Sequence, residues 1–200
     1  QSRPEMAVTH FKTIADATDL PVIVFQYPLA TGQGYPLDTL VQICETVPNV
    51  CAIKDWCNNV QQHERHIQVL QSLTRPVNVL TTHSAWLLSS LVLGCKGLLS
   101  GSGSVIADLQ SLLFSAVRDG NLGLAKRLND RIRTTAEVFY ADPFVDMHNR
   151  MKVALVSLGR IPCSAVRPPL VTPSSDEVTK ISEAMAQAGI VAEGAVREAA

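Results

Sequence analysis

Short apolar runs alternate with longer amphipathic stretches along the first hundred residues. Four times a helical pattern leads into a β-branched or apolar run that ends in small or polar residues: 4–18 then 22–27, 37–47 then 50–54, 58–73 then 77–81, and 84–93 then 97–100. Strands of about five residues with almost no polar alternation are buried on both faces, as in a parallel sheet. Their alternation with helices predicts αβ units joined by right-handed crossovers. Asp19-Leu20-Pro21, Val47-Pro48-Asn49, Arg75-Pro76 and Gly94-Cys95 each stand just before a strand, where a helix must stop, so the strand entrances lie at one end. After Ser100 the pattern is helical throughout, over 104–119, 122–140, 143–158 and 174–188, with breaks at Gly120-Asn121, Asp142-Pro143 and Pro168-Pro169.

Doubly wound sheets and (β/α)8 barrels both produce this α/β alternation. A dinucleotide turn would favour the first, but the one glycine-rich candidate, Gly101-Ser102-Gly103-Ser104, lacks the required spacing and follows the last strand rather than the first. The expectation is a (β/α)8 (TIM) barrel, of which residues 1–120 supply about four strands, with 121–200 as a C-terminal helical extension. Four strands cannot close a barrel, so either the remaining half lies upstream of Gln1 or two copies associate.

Composition narrows the function. Of 200 residues, 46% are apolar and 18% charged, an ordinary globular balance, and 17 basic against 18 acidic residues leave a formal charge of −1. Without a Lys/Arg-rich run, no nucleic-acid partner is expected. The longest apolar stretch, 85–93, is interrupted by Ser89 and Ser90 and is too short to span a bilayer, so no membrane partner is expected either. Five cysteines, odd in number and without C-x-x-C spacing, fit reduced thiols in a cytoplasmic protein.

In parallel αβ proteins chemistry sits at the carboxyl ends of the strands. Here these are Gln26-Tyr27-Pro28, Lys54-Asp55-Trp56, Thr81-Thr82-His83 and Ser100-Gly101-Ser102, and of six lysines only Lys54 lies at such an end. A lysine behind the apolar run Val50-Cys51-Ala52-Ile53 is partly desolvated, which lowers its pKa and frees a neutral amine to attack a carbonyl. From position alone, a lysine that merely ends a strand and reaches solvent explains the pattern equally well. Tyr27 is a candidate proton relay or, equally, an aromatic cover for the barrel mouth. Thr81, Thr82 and His83 offer polar groups to a substrate, though Thr82 or His83 would also cap the helix that follows. The Gly101–Ser104 loop is either an anion cradle or a plain βα turn. His63 and His66 stand three apart beside Glu64 and Arg65 with no further ligand at suitable spacing, so a solvated helix face and no metal are expected.

The run Leu20-Pro21-Val22-Ile23-Val24-Phe25-Gln26-Tyr27-Pro28 with Thr31-Gly32, then Val50-Cys51-Ala52-Ile53-Lys54-Asp55, then Leu93-Gly94-Cys95-Lys96-Gly97-Leu98-Leu99-Ser100, resembles the dihydrodipicolinate synthase / N-acetylneuraminate lyase family. That family's pattern is a strand ending Tyr-Asn-x-Pro with Thr-Gly shortly after, a strand ending Ile-Lys-(Glu/Asp), and a strand Gly-x-x-Ser. The resemblance implies a (β/α)8 barrel with a helical extension, a homotetramer, no cofactor, and an imine between Lys54 and pyruvate or another 2-oxo acid. It places Thr82 and Leu99 where main chain lines the pyruvate pocket.

Two positions depart from the pattern. The family's catalytic tyrosine falls on Phe25, while Tyr27, two residues on, shares its strand face. The arginine that dihydrodipicolinate synthases place before Thr-Gly corresponds to Ala30. By the resemblance the chain starts after the fourth strand, without the family's Gly-Thr-Thr carboxylate loop. The expectation is therefore a Schiff-base lyase of the aldolase type acting on pyruvate or another 2-oxo acid through Lys54, with a role in lysine biosynthesis not expected. A sugar-acid dehydratase using the same imine is the alternative, as is a catalytically silent barrel that binds partners. Little turnover is expected from these 200 residues alone.

Overall fold

A computed structural model of the chain describes residues 3–82 and 84–192. The chain divides into two compact units, 1–99 and 100–200.

The first unit runs α1 (Pro4–Asp16), β1 (Val22–Gln26), α2 (Leu37–Thr46), β2 (Val50–Asp55), α3 (Val60–Leu70), β3 (Asn78–Thr81), a 3-10 turn (Ser84–Trp86) leading into α4 (Leu87–Val92), and β4 (Gly97–Leu98). All four predicted αβ pairs are present, and the strands form one parallel sheet in the order β1-β2-β3-β4. The helices start where local chemistry dictates. Pro4 opens α1, where its missing N–H costs nothing, and the Asn59 side chain caps α3 by accepting from Gln62 N–H. Arg75 ties the end of α2 to the start of β2, donating to the carbonyls of Val50 at 2.7 Å and Val47 at 3.2 Å and also to Cys44 O.

Register fixes which side chains share a face. Phe25 pairs with Lys54, Lys54 with Leu80, and Leu80 with Gly97, so these four make one row across the sheet. Gln26, Asp55, Thr81 and Leu98 make the next row, on the opposite face. That opposite face carries the helices: Val24, Ile53 and Val79 are fully buried there, and the core is completed by Leu40, Ile43, Leu70 and Leu87. The face bearing Lys54 is open at β1, where Ile23 is 44% and Phe25 37% exposed.

The second unit is helical: α5 (Gly103–Arg118), α6 (Leu122–Phe139), a 3-10 turn (Phe144–Asp146) leading into α7 (Met147–Ser157), and α8 (Ser175–Gln187). Asn121 caps α6, and Ser174 and Glu177 form a reciprocal capping box on α8. Leu113, Ile132, Phe139, Ala154 and Ile181 are fully buried between them. Residue 120, the boundary expected from sequence, is the left-handed Gly120 (φ 73°) in the turn between α5 and α6, inside this unit. Among the described residues no helix is long and apolar enough to cross a membrane, and all five cysteines are free thiols.

Candidate active site

Lys54 is the last inward-facing residue of β2. Its side chain is half-buried, and the loss of water around the ammonium lowers its pKa from the ordinary lysine value. Nζ lies 4.2 Å from the centroid of the Phe25 ring on the neighbouring strand. That contact favours the charged form and opposes the effect of burial. Among the described residues no carboxylate pairs with Lys54. Asp55, one residue on, cannot do so, because consecutive strand residues point to opposite faces. An amine without a counter-ion and short of water is the form that reaches neutrality most easily and attacks a carbonyl.

Phe25, Tyr27 and Trp56 pack into one aromatic group beside this amine. Ring centroids are 4.4 Å apart for Phe25 and Tyr27, 5.2 Å for Tyr27 and Trp56 in an edge contact, and 6.4 Å for Phe25 and Trp56. Tyr27 is held there by its chain neighbours. The buried Gln26 amide donates to Tyr35 O at 2.8 Å and accepts from Tyr35 N–H at 2.9 Å, fastening the loop after β1 to the strand end. The return of that loop leaves no room for a side chain at Gly34, where a Cβ would fall 2.3 Å from the Tyr27 carbonyl oxygen. Lys54, Phe25 and Tyr27 are thus brought together. Thr82, buried, and Leu99, 42% exposed, each follow the last paired residue of their strand, Thr81 and Leu98, and Leu99 N–H donates to Thr81 O at 2.8 Å. His83 lies outside the described residues.

The Gly101–Ser104 loop is a plain turn rather than an anion cradle. Gly103 N–H donates to Ser100 O, Ser104 N–H to Gly101 O, and both Val105 and Ile106 N–H to Ser102 O, so the amides an anion would need are already engaged. Ser102 Oγ accepts from the Gln110 amide at 3.0 Å.

His63 and His66 do not form the solvated face expected of them. They are 1% and 0% exposed, and both Nδ1 atoms contact Asp55 Oδ2, at 2.8 and 2.7 Å. The Asp55 carboxylate is fully buried; burial alone would raise its pKa, but the bonds from the two imidazoles and their attraction outweigh this and hold it well below the usual carboxylate range. Its other oxygen accepts from Cys57 N–H at 2.9 Å. The signal was present in the sequence: His63, His66, Ile67 and Leu70 fall at i, i+3, i+4 and i+7, the stripe of a core-facing helix.

A sequence model of the Dihydrodipicolinate synthetase family matches residues 1–188. The chain is 28% identical over 163 residues to the putative 2-dehydro-3-deoxy-D-gluconate aldolase YagE of Escherichia coli K12, covering 81% of this chain and 53% of that protein. It is 29% identical over 124 residues to the 4-hydroxy-tetrahydrodipicolinate synthase of Prosthecochloris aestuarii, covering 62% of this chain and 41% of the relative. Among solved structures, a monomeric dihydrodipicolinate synthase variant superposes with a TM-score of 0.85 at 22% identity, over 94% of this chain and 62% of that one. YagE in complex with pyruvate superposes with a TM-score of 0.84 at 24% identity, over 95% and 63%. These likenesses establish the fold as part of a (β/α)8 barrel followed by helices. The chain spans about half the length of these curated relatives, and just under two thirds of these solved ones.

Proposed function

Since the chain belongs to the dihydrodipicolinate synthetase family, we propose that the protein of which these residues form part is a Schiff-base lyase, with Lys54 as the nucleophile toward pyruvate or another 2-oxo acid. The observation that carries this reading is the state of Lys54: half-buried, with its pKa lowered, at the carboxyl end of a parallel strand, and with the neighbouring carboxylate turned to the other face. The neutral amine adds to the C2 carbonyl, the carbinolamine loses water, and the protonated imine draws electrons from C3. Loss of a C3 proton gives an enamine that adds to an aldehyde; the reverse sequence cleaves the same carbon–carbon bond.

Tyr27 supplies the hydroxyl that this cycle needs for proton transfer. Phe25, opposite Lys54 in register, carries none and packs its ring over the amine instead. Tyr27 rests on that ring from one pleat further along the strand. The aldolase relatives, YagE and the probable 2-dehydro-3-deoxy-D-pentonate aldolase YjhH of Escherichia coli K12 (24% identical over 183 residues), are about as similar to this chain as the synthases are, and they support an aldolase acting on a 2-oxo sugar acid. So does Ala30 at the place of the arginine that the resemblance puts in true dihydrodipicolinate synthases. Thr82 and Leu99 line the 2-oxo acid pocket in this reading, which needs no cofactor.

The test is borohydride reduction in the presence of pyruvate, followed by peptide mass spectrometry. A reduced pyruvyl adduct on Lys54 is expected. An adduct on another lysine, or none with any 2-oxo acid tried, would overturn the assignment and leave the silent barrel as the better reading.

A further inference from the structure

The helix-facing side of β2 holds a cluster that imine chemistry at Lys54 leaves unused. Asp55, Cys57 and His63 are all buried, and one carboxylate oxygen, Cys57 Sγ and a ring nitrogen of His63 lie within 4.8 Å of one another. The three come from one short stretch: the last residue of β2, the turn after it, and the first turn of α3. His66 Nδ1 meets Asp55 Oδ2 at 2.7 Å and holds the carboxylate from behind, while Cys95 Sγ lies 3.3 Å from His63 Nε2. His66 Nε2 is buried with no hydrogen-bond partner among the described residues.

One carboxylate, one thiol and one imidazole form a donor set suited to zinc and its near neighbours. Ligand bonds of about 2.0–2.3 Å place the donors of a filled tetrahedral site roughly 3.5 Å apart. The three donors lie within 4.8 Å of one another, and His63 Nδ1 and Asp55 Oδ2, 2.8 Å apart without an ion, would separate by about 0.7 Å to admit one. The outer contacts already resemble those that support metal ligands, with His66 against the carboxylate and Cys95 against the far ring nitrogen.

We propose that Asp55, Cys57 and His63 bind one zinc-class divalent ion, His63 through Nδ1, with His66 and Cys95 orienting the ligands. On binding, the Nδ1 proton of His63 moves to Nε2, where Cys95 Sγ accepts it, and Cys57 gives up its thiol proton to solvent. The ion would sit on the face of β2 opposite Lys54 and tie the strand end to α3.

The test titrates Zn2+ into chelator-stripped protein by calorimetry, and repeats the titration with Co2+ under an absorption spectrometer. One equivalent taken up and a thiolate-to-cobalt charge-transfer band are expected. The band should vanish in Cys57→Ser and persist in Cys163→Ser, which removes an exposed thiol outside the cluster. No stoichiometric uptake by the unaltered protein, or a band unchanged in Cys57→Ser, would each overturn the proposal. Borohydride trapping at Lys54 is read separately, so either assignment can fail alone.

Discussion

Asp55→Ala is the substitution through which the buried network shows most directly what it contributes. The carboxylate accepts from three buried donors, His63 Nδ1, His66 Nδ1 and Cys57 N–H, at 2.8, 2.7 and 2.9 Å. Each buried donor left without an acceptor costs about 1–3 kcal/mol. The three together would cost roughly 3–9 kcal/mol if nothing relaxed. Two effects pull the sum toward its lower end. Each imidazole can move its proton to Nε2, where His63 still finds Cys95 Sγ at 3.3 Å, and the desolvation of the carboxylate itself is relieved. A loss of about 3–5 kcal/mol is therefore expected, the usual scale for breaking a buried ionic contact. Trp56 and Trp86 are the protein's two tryptophans and both lie in the first unit, so their fluorescence reports its unfolding. In urea with chelator, and with an m-value of about 2 kcal/mol/M, the midpoint should fall by roughly 2 M. Asp55→Asn, which keeps one acceptor oxygen, should fall less. Because the native carboxylate titrates below its unfolded value of about 3.9, its contribution is complete above that pH and fades as pH drops further. The gap between the two proteins should be constant near neutrality and narrow below about pH 4. A midpoint shift under about 0.5 M at unchanged m would refute the reasoning, since the three donors would then have other partners.

Three further substitutions test the site and the second unit. Imine formation by Lys54 should rise with pH and level off below the range of free lysine, about 10.4, because burial lowers its pKa. Removing the ring over Nζ in Phe25→Leu withdraws about 0.5–1 kcal/mol from the charged form and should move that midpoint down by roughly half a pH unit; an upward move would contradict it. Gly34→Ala drives a methyl into the Tyr27 carbonyl, so about 1–3 kcal/mol should be lost by thermal unfolding, together with turnover as the aromatic group shifts. Arg150→Met removes a buried guanidinium that donates to Ala141 O at 2.5 Å and Asp142 O at 3.2 Å and pairs with Glu177 at 3.3 Å. It should cost about 2–4 kcal/mol, seen as a lower midpoint in far-UV circular dichroism.

The parallel α/β architecture was legible because both faces of each strand are apolar and proline or glycine punctuates each strand entrance. The fourth strand was only partly legible. The apolar run 97–100 predicted four residues, yet only Gly97–Leu98 pair as strand, and Leu99 adds a single further bond to Thr81. The helix predicted over 84–93 begins as a 3-10 turn at Ser84–Trp86 and becomes α-helical only from Leu87. Composition does not distinguish these states, since a tight turn and the first turn of a helix draw on the same small and polar residues. The aromatic group was missed for another reason. Phe25, Tyr27 and Trp56 lie on two separate strand ends, and only the register of β1 against β2 brings them into contact.

The pair Lys54-Asp55 shows where motif reading stops and strand geometry takes over. As a motif, a lysine followed by an acid suggests an ion pair or a nucleophile with its base. As two consecutive residues of β2 they are held on opposite sides of the sheet, and each is defined by what it meets there. Among the described residues Lys54 meets an aromatic ring and no anion, so its charge is left uncompensated and the neutral amine becomes accessible. Asp55 meets two imidazoles and a backbone amide, so its charge is consumed in the core and withheld from the amine. Helix α3 makes that division possible. The histidines that looked like surface residues are the groups that keep the carboxylate on its own side. A variant that releases Asp55 from them, such as the double substitution His63→Phe with His66→Phe, should raise the Asp55 pKa without placing its charge near Lys54, because strand pleating forbids it. The pH midpoint of imine formation should then stay where it is while stability falls.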